Sequence, residues 1–128
     1  QHDILFILIG LSVILGHIYT VFLNFQGGKG VAASAGVFLA LLPGPAAITL
    51  AVFLLTLFFS GFVSLGSLAA VCTLFLIVLI TNIKSGFDRP VMLGFVTIVA
   101  LFIIIRHSGN IQRLLKGTEN RVNFGRKR

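Results

Sequence analysis

Five continuously apolar runs, at 4–23, 31–42, 46–60, 62–81 and 91–105, govern what this 128-residue sequence can fold into. The first and fourth are 20 residues long, the length a helix needs to cross a hydrocarbon core of roughly 30 Å. The fifth, at 15, reaches that length with its flanks. The second and third, at 12 and 15, are short, since a 12-residue helix spans only about 18 Å. Either the second helix begins earlier, within 27–30, or the pair makes a re-entrant hairpin about the break at Pro43-Gly44-Pro45. Membrane strands alternate in polarity, whereas FILIGLSVIL and LFLIVLI do not. In lipid a helix satisfies its own backbone. The expected fold is all-α: a polytopic membrane helix bundle of about five transmembrane or re-entrant helices. It forms one integral membrane domain over 1–128, with 106–128 a basic interfacial tail.

Composition narrows the function. The chain is 57% hydrophobic and only 10% charged, against roughly 25% charged in a soluble domain. These numbers argue against a soluble enzyme or a DNA-binding domain and exclude a disordered chain. The net charge of +7 then points to a membrane surface or an anionic ligand, not nucleic acid. Lys29, Arg106, Arg113, Lys116, Arg121, Arg126, Lys127 and Arg128 share one side, against Lys84 and Arg89 on the other. That asymmetry places the 27–30 loop and the tail in the cytoplasm. The single Cys72 forms no intrachain disulfide, and His2, His17 and His107 lack metal-ligand spacing, so no cofactor or metal is expected.

Three segments could carry chemistry. Gly27-Gly28-Lys29-Gly30 lies between two apolar runs. Its glycines let backbone N–H groups approach an anion, the following helix offers its positive end, and Lys29 adds a full charge. It is not a P-loop, because Leu23 stands where the leading glycine belongs and Gly30 follows the lysine. A tight turn with a topology-setting lysine explains it equally well. Ser60, Ser64, Ser67 and Val71 have the spacing of one helix face, which suits either close packing or a ligand site. In the tail, Ile111, Leu114 and Leu115 suit a short interfacial helix, while Asn110 and Glu119 are superfluous to an anchor. Glu119, the one acid on its side, is expected to pair with a nearby arginine. His17 reads by default as a buried structural histidine. With no nucleophile set or carboxylate pair, any catalysis must rest on positioning and anion stabilisation.

Taken in order, Gly16-His17-x-x-x-x-Phe22-x-x-Phe25-x-Gly27-Gly28-Lys29-Gly30-Val31-Ala32, Ser64-Leu65-Gly66-Ser67 and Arg106-His107-x-x-Asn110-Ile111-x-Arg113-Leu114-x-x-Gly117-Thr118-Glu119 resemble one family. It is the bacterial acyl-phosphate:glycerol-3-phosphate acyltransferases, integral enzymes of the inner membrane. The resemblance implies transfer of a fatty acyl group to the 1-hydroxyl of glycerol 3-phosphate, giving lysophosphatidic acid and phosphate for phospholipid synthesis. It implies that Gly27, Gly28, Lys29 and Gly30 cradle the acyl-phosphate head, with Ser64, Ser67 and His17 also binding substrate. His107, Asn110 and Glu119 are implied at the catalytic end. Membrane lipid surrounds such an enzyme, and no protein partner or nucleic acid is called for. Thr20 stands where the family usually has proline, and Ala33 where it often has threonine. The family has about seven helices and an N-terminal Ser-Gly-Asn-Pro-Gly motif. The sequence begins at Gln1 with nothing like that motif, so an N-terminally truncated chain is expected. The competing readings are a small transport or channel subunit with a cytoplasmic anion site, and a membrane scaffold.

Overall fold

The computed structural model describes residues 2–19 and 28–122, and these form six helices with no strand among them. They are α1 (His2–Ile18), α2 (Val31–Leu41), α3 (Pro43–Ser60), α4 (Val63–Lys84), α5 (Pro90–Arg106) and α6 (Ser108–Leu115). By length and composition α3 and α4 can each cross a membrane; α5 and α6, joined through a 55° bend at His107, supply a third crossing if taken as one broken span.

The α2–α3 junction differs from the sequence expectation. Pro43-Gly44-Pro45 does not separate the helices; it begins α3, and the break falls on Leu42 alone. The first four N–H groups of a helix have no internal acceptor, so prolines at its first and third positions forfeit no bond. The ladder starts at once with Ala46 N donating to Leu42 O at 2.9 Å. α2 is no longer than expected: it starts at Val31, behind Gly30, and its 11 residues span about 16 Å. Beyond α3 the chain doubles back at Gly61, and Phe53 of α3 packs against Gly66 of α4. A Cβ on Gly66 would lie 3.1 Å from the Phe53 carbonyl oxygen, so these helices approach through a glycine.

The core is built on α4 and α5. Val71, Leu74 and Val78 face Met92, Val96, Val99 and Ile103, each set at helical spacing, with Ile14, Ile18 and Phe38 packed against them. Phe38 and Phe95 meet at 5.4 Å between ring centroids. α3 contributes only Ala46 to this core. Its Leu54, Leu55, Phe58 and Phe59 are exposed, as befits a lipid-facing surface. Ser60 is not part of the α4 face. It ends α3 and donates to Thr56 O, and Gly61 (φ +75) turns the chain.

At the far end, buried Asn82 ties α4 to α5. Its Nδ2 donates to Val78 O and its Oδ1 accepts the N–H of Arg89, just before Pro90 begins α5. The starts of α2 and α4 and the ends of α3 and α5 therefore gather at the opposite pole, with α6 alongside.

Candidate functional site

Glu119 organises that pole. Its Oε1 accepts the Asn110 Nδ2–H at 2.6 Å and the Ser64 hydroxyl at 2.7 Å, and its Oε2 accepts the Arg113 Nε–H at 2.7 Å. The carboxylate side chain is 6% exposed, and these donors hold its pKa down at about 2. The Asn110 bond contributes most, then Ser64, with Arg113 a smaller cause. Asn110 turns its Oδ1 the other way and accepts a hydrogen bond from Lys29 Nζ. One chain of polar contacts thus joins the start of α2, the start of α4, α6 and the segment after it. The glutamate is paired with an arginine, Arg113, six residues before it.

Buried His107 sits at the α5–α6 bend, with Nδ1 2.8 Å from Ile103 O. A carbonyl only accepts, so Nδ1 carries the proton and neutral His107 keeps a lone pair on Nε2.

These groups, Arg113 apart, border one cavity of about 730 Å³. Lys29, Ser64, Ser67, His107, Asn110, Glu119 and Arg121 lie toward one end; Phe38, Ala46, Leu50, Val71 and Leu74 line the other. Helix α2 contributes its uncapped N-terminus, where Gly30 (φ +82) has no side chain to bond the first N–H groups. A Cβ at Gly30 would also lie 2.9 Å from Ile18 Cδ1, so this turn demands glycine twice over. Lys29 and Arg121 are cations of the lining, while the Glu119 carboxylate there is already offset by Arg113 from outside it. The polar end therefore attracts anions and the far end accepts hydrocarbon.

The expected site residues fall into groups. Lys29, Ser64, Asn110 and Glu119 are in mutual contact. His17, Gly30, Ser67 and His107 line the same cavity. Ser67 donates its hydroxyl to Val63 O, leaving only its oxygen lone pairs for a ligand. Gly28 lies behind His17, where a Cβ would come within 2.9 Å of Nε2. Gly27 lies outside the described residues. His17 is exposed, contrary to the buried structural role, because the α1 stripe that packs inward runs through Ile14 and Ile18 instead.

Arg121 joins the site without a sequence signal. The chain reverses at Gly117 (φ +70), and Val122 N donates to Gly61 O at 2.8 Å. That brings the Arg121 guanidinium to 5.9 Å from the Phe62 ring and beside the cavity. In sequence it is one more tail cation; only the fold-back sets it apart. Ser34, buried on α2 and also lining the cavity, has no local signature either.

A family model described as glycerol-3-phosphate acyltransferase matches residues 2–117. The chain belongs to the glycerol-3-phosphate acyltransferase family. Among proteins of that name, one from Fusobacterium nucleatum is 42% identical over 118 residues, covering 92% of this chain and 58% of the relative. One from Salinibacter ruber is 43% identical over 120 residues, covering 93% and 52%. Among solved structures, the glycerol 3-phosphate form of PlsY, an integral membrane glycerol 3-phosphate acyltransferase, is similar at a TM-score of 0.79 and 38% identity, over 91% of this chain and 56% of that one. Its lysophosphatidic acid form gives 0.78 and 38%, over 91% and 57%. The chain spans a little over half the length of the glycerol-3-phosphate acyltransferases it matches.

Proposed function

We propose that the intact protein moves a fatty acyl group from acyl-phosphate to the 1-hydroxyl of glycerol 3-phosphate, releasing lysophosphatidic acid and inorganic phosphate. The observation that carries this reading is the two-ended cavity, cationic where α2 begins and apolar toward Leu74. Both substrates bring phosphate, and one brings a hydrocarbon chain. Acyl-phosphate is a mixed anhydride and needs no enzyme nucleophile. The glycerol oxygen forms a bond to the acyl carbon, and the bond from that carbon to the phosphate oxygen breaks with its electron pair leaving on phosphate. The hydroxyl proton passes to that phosphate or to Nε2 of His107. Lys29, the 28–30 backbone and Arg121 hold negative charge in place, and the Asn110–Glu119 pair fixes the geometry.

A transport reading calls for ionisable side chains at membrane depth. The cavity carries its charged residues only at the end where α2 begins, which favours the acyltransferase. The same end of the bundle holds Lys29, Arg106, Arg113, Lys116 and Arg121, against Lys84 and Arg89 at the other. This supports a multi-pass protein of the bacterial inner membrane with the 27–30 loop and the 106–128 tail in the cytoplasm.

The deciding experiment is phosphate release by the intact, purified protein from palmitoyl-phosphate. Release is expected only when glycerol 3-phosphate is present. Absence of turnover with acyl-phosphates of every chain length overturns the assignment.

A further inference from the structure

A helical serine or threonine can return its hydroxyl to the carbonyl one turn back, and Ser12, Thr49, Ser60, Ser67, Thr73 and Thr97 all do so. Ser64 gives its hydroxyl to Glu119 instead. Ser34 does neither. The residue is 3% exposed, and its Oγ has no hydrogen-bond partner among the described residues. A buried polar atom left in that condition is rare and costly.

Its position says what would complete it. Ser34 lies one turn inside α2, its own N–H bonded to Gly30 O at 2.9 Å, and it borders the cavity. Lys29 and Gly30 stand about 6 Å nearer the cationic end, and Phe38 about 6 Å nearer the apolar end. The hydroxyl thus marks the boundary between the two halves of the cavity. An acyl-phosphate has one polar group at the matching boundary, the carbonyl that joins its chain to its phosphate. Resting on the acyltransferase reading, we propose that Ser34 Oγ–H donates a hydrogen bond to the carbonyl oxygen of bound acyl-phosphate. The serine forms no covalent bond and keeps its proton. Its hydrogen bond strengthens as that oxygen gains negative charge during attack.

The test compares two inhibitors of equal chain length in the intact protein. A long-chain β-ketophosphonate keeps the carbonyl; an alkylphosphonate lacks it. Ser34→Ala is expected to weaken the ketophosphonate about tenfold and to change the alkylphosphonate less than twofold. Ser34→Cys, close in size but a poor donor, should behave in the same way. Thr97→Ala, which removes a back-bonded hydroxyl on α5, should leave both constants unchanged. Equal weakening of both inhibitors by Ser34→Ala overturns the proposal, because the hydroxyl would then serve the phosphate or the cavity's shape. Unchanged binding of both overturns it too. If the unsubstituted protein turns over acyl-phosphate, either result removes the carbonyl contact alone. If it neither turns over acyl-phosphate nor binds either inhibitor, the acyltransferase reading falls as well.

Discussion

Lys29 donates a hydrogen bond to Asn110, 81 residues further along the chain. The bond joins the glycine-rich loop to the tail and makes one site of two distant sequence segments. Asn110 is well suited to the junction, because an amide can accept on one side while donating to Glu119 on the other. Asn110→Ala therefore removes both contacts at once. Turnover, read as phosphate released per unit time, should fall by about a hundredfold or more, the scale seen when a preorganised polar group is lost from a reaction site. Asn110→Asp should be no better. It would set a second carboxylate against Glu119, which now receives a donor at 2.6 Å.

Glu119 gives a pH prediction. Its pKa in the folded protein is about 2, below the ordinary 4.5. A depressed carboxylate stabilises the fold fully above its unfolded pKa and loses that contribution as pH falls through the folded value. The melting temperature in detergent should therefore exceed that of Glu119→Gln by a constant margin from pH 7 to about pH 5, and the margin should close as pH falls toward 2. A margin unchanged down to pH 2 would show that charge on Glu119 is not what holds Asn110, Ser64 and Arg113.

Lys29 and Arg121 should separate from the structural residues in kinetics. Neither has a carboxylate partner among the described residues, so neither substitution strands a buried charge. Lys29→Ala and Arg121→Ala should each raise the KM for acyl-phosphate or glycerol 3-phosphate by about tenfold, with little change in melting temperature. A loss of stability with unchanged KM would count against anion binding there.

Gly28 allows space to be distinguished from backbone access. Gly28→Ala places a Cβ 2.9 Å from Nε2 of exposed His17, a ring that can swing aside, so melting temperature should change little while turnover falls at least about tenfold. Adding His17→Ala removes that contact altogether and should leave melting temperature unchanged. Turnover should stay low, because the methyl still obstructs approach of an anion to the loop N–H groups. Full recovery in the double variant would show that Gly28 only makes room for a histidine.

Much of the fold was legible because lipid-facing helices announce themselves by unbroken apolar length. α4 and α5 lie close to their apolar runs, and their inward stripes follow from helical spacing. The α3 start was not legible. Pro43-Gly44-Pro45 looks like a break until one knows that the ladder begins only at Ala46, where prolines no longer interfere. The Glu119–Arg113 pair was foreseeable from charge alone, a single acid among many cations. Arg121 and Ser34 were not, since nothing local distinguishes them. One depends on Val122 meeting Gly61, and the other on the cavity wall lying against that face of α2.

The Lys29–Asn110 bond also bears on how readily the site can change hands. A lysine held by a carboxylate must break an ion pair before it can greet a phosphate; one held by an amide gives up only a neutral dipole. Under the proposed function Asn110 would act as a placeholder, keeping the ammonium in position until a phosphate displaces the amide. Glu119, fastened to three other donors, stays put through the exchange. Arrival of an anion should thus swing one side chain while the frame behind it remains still.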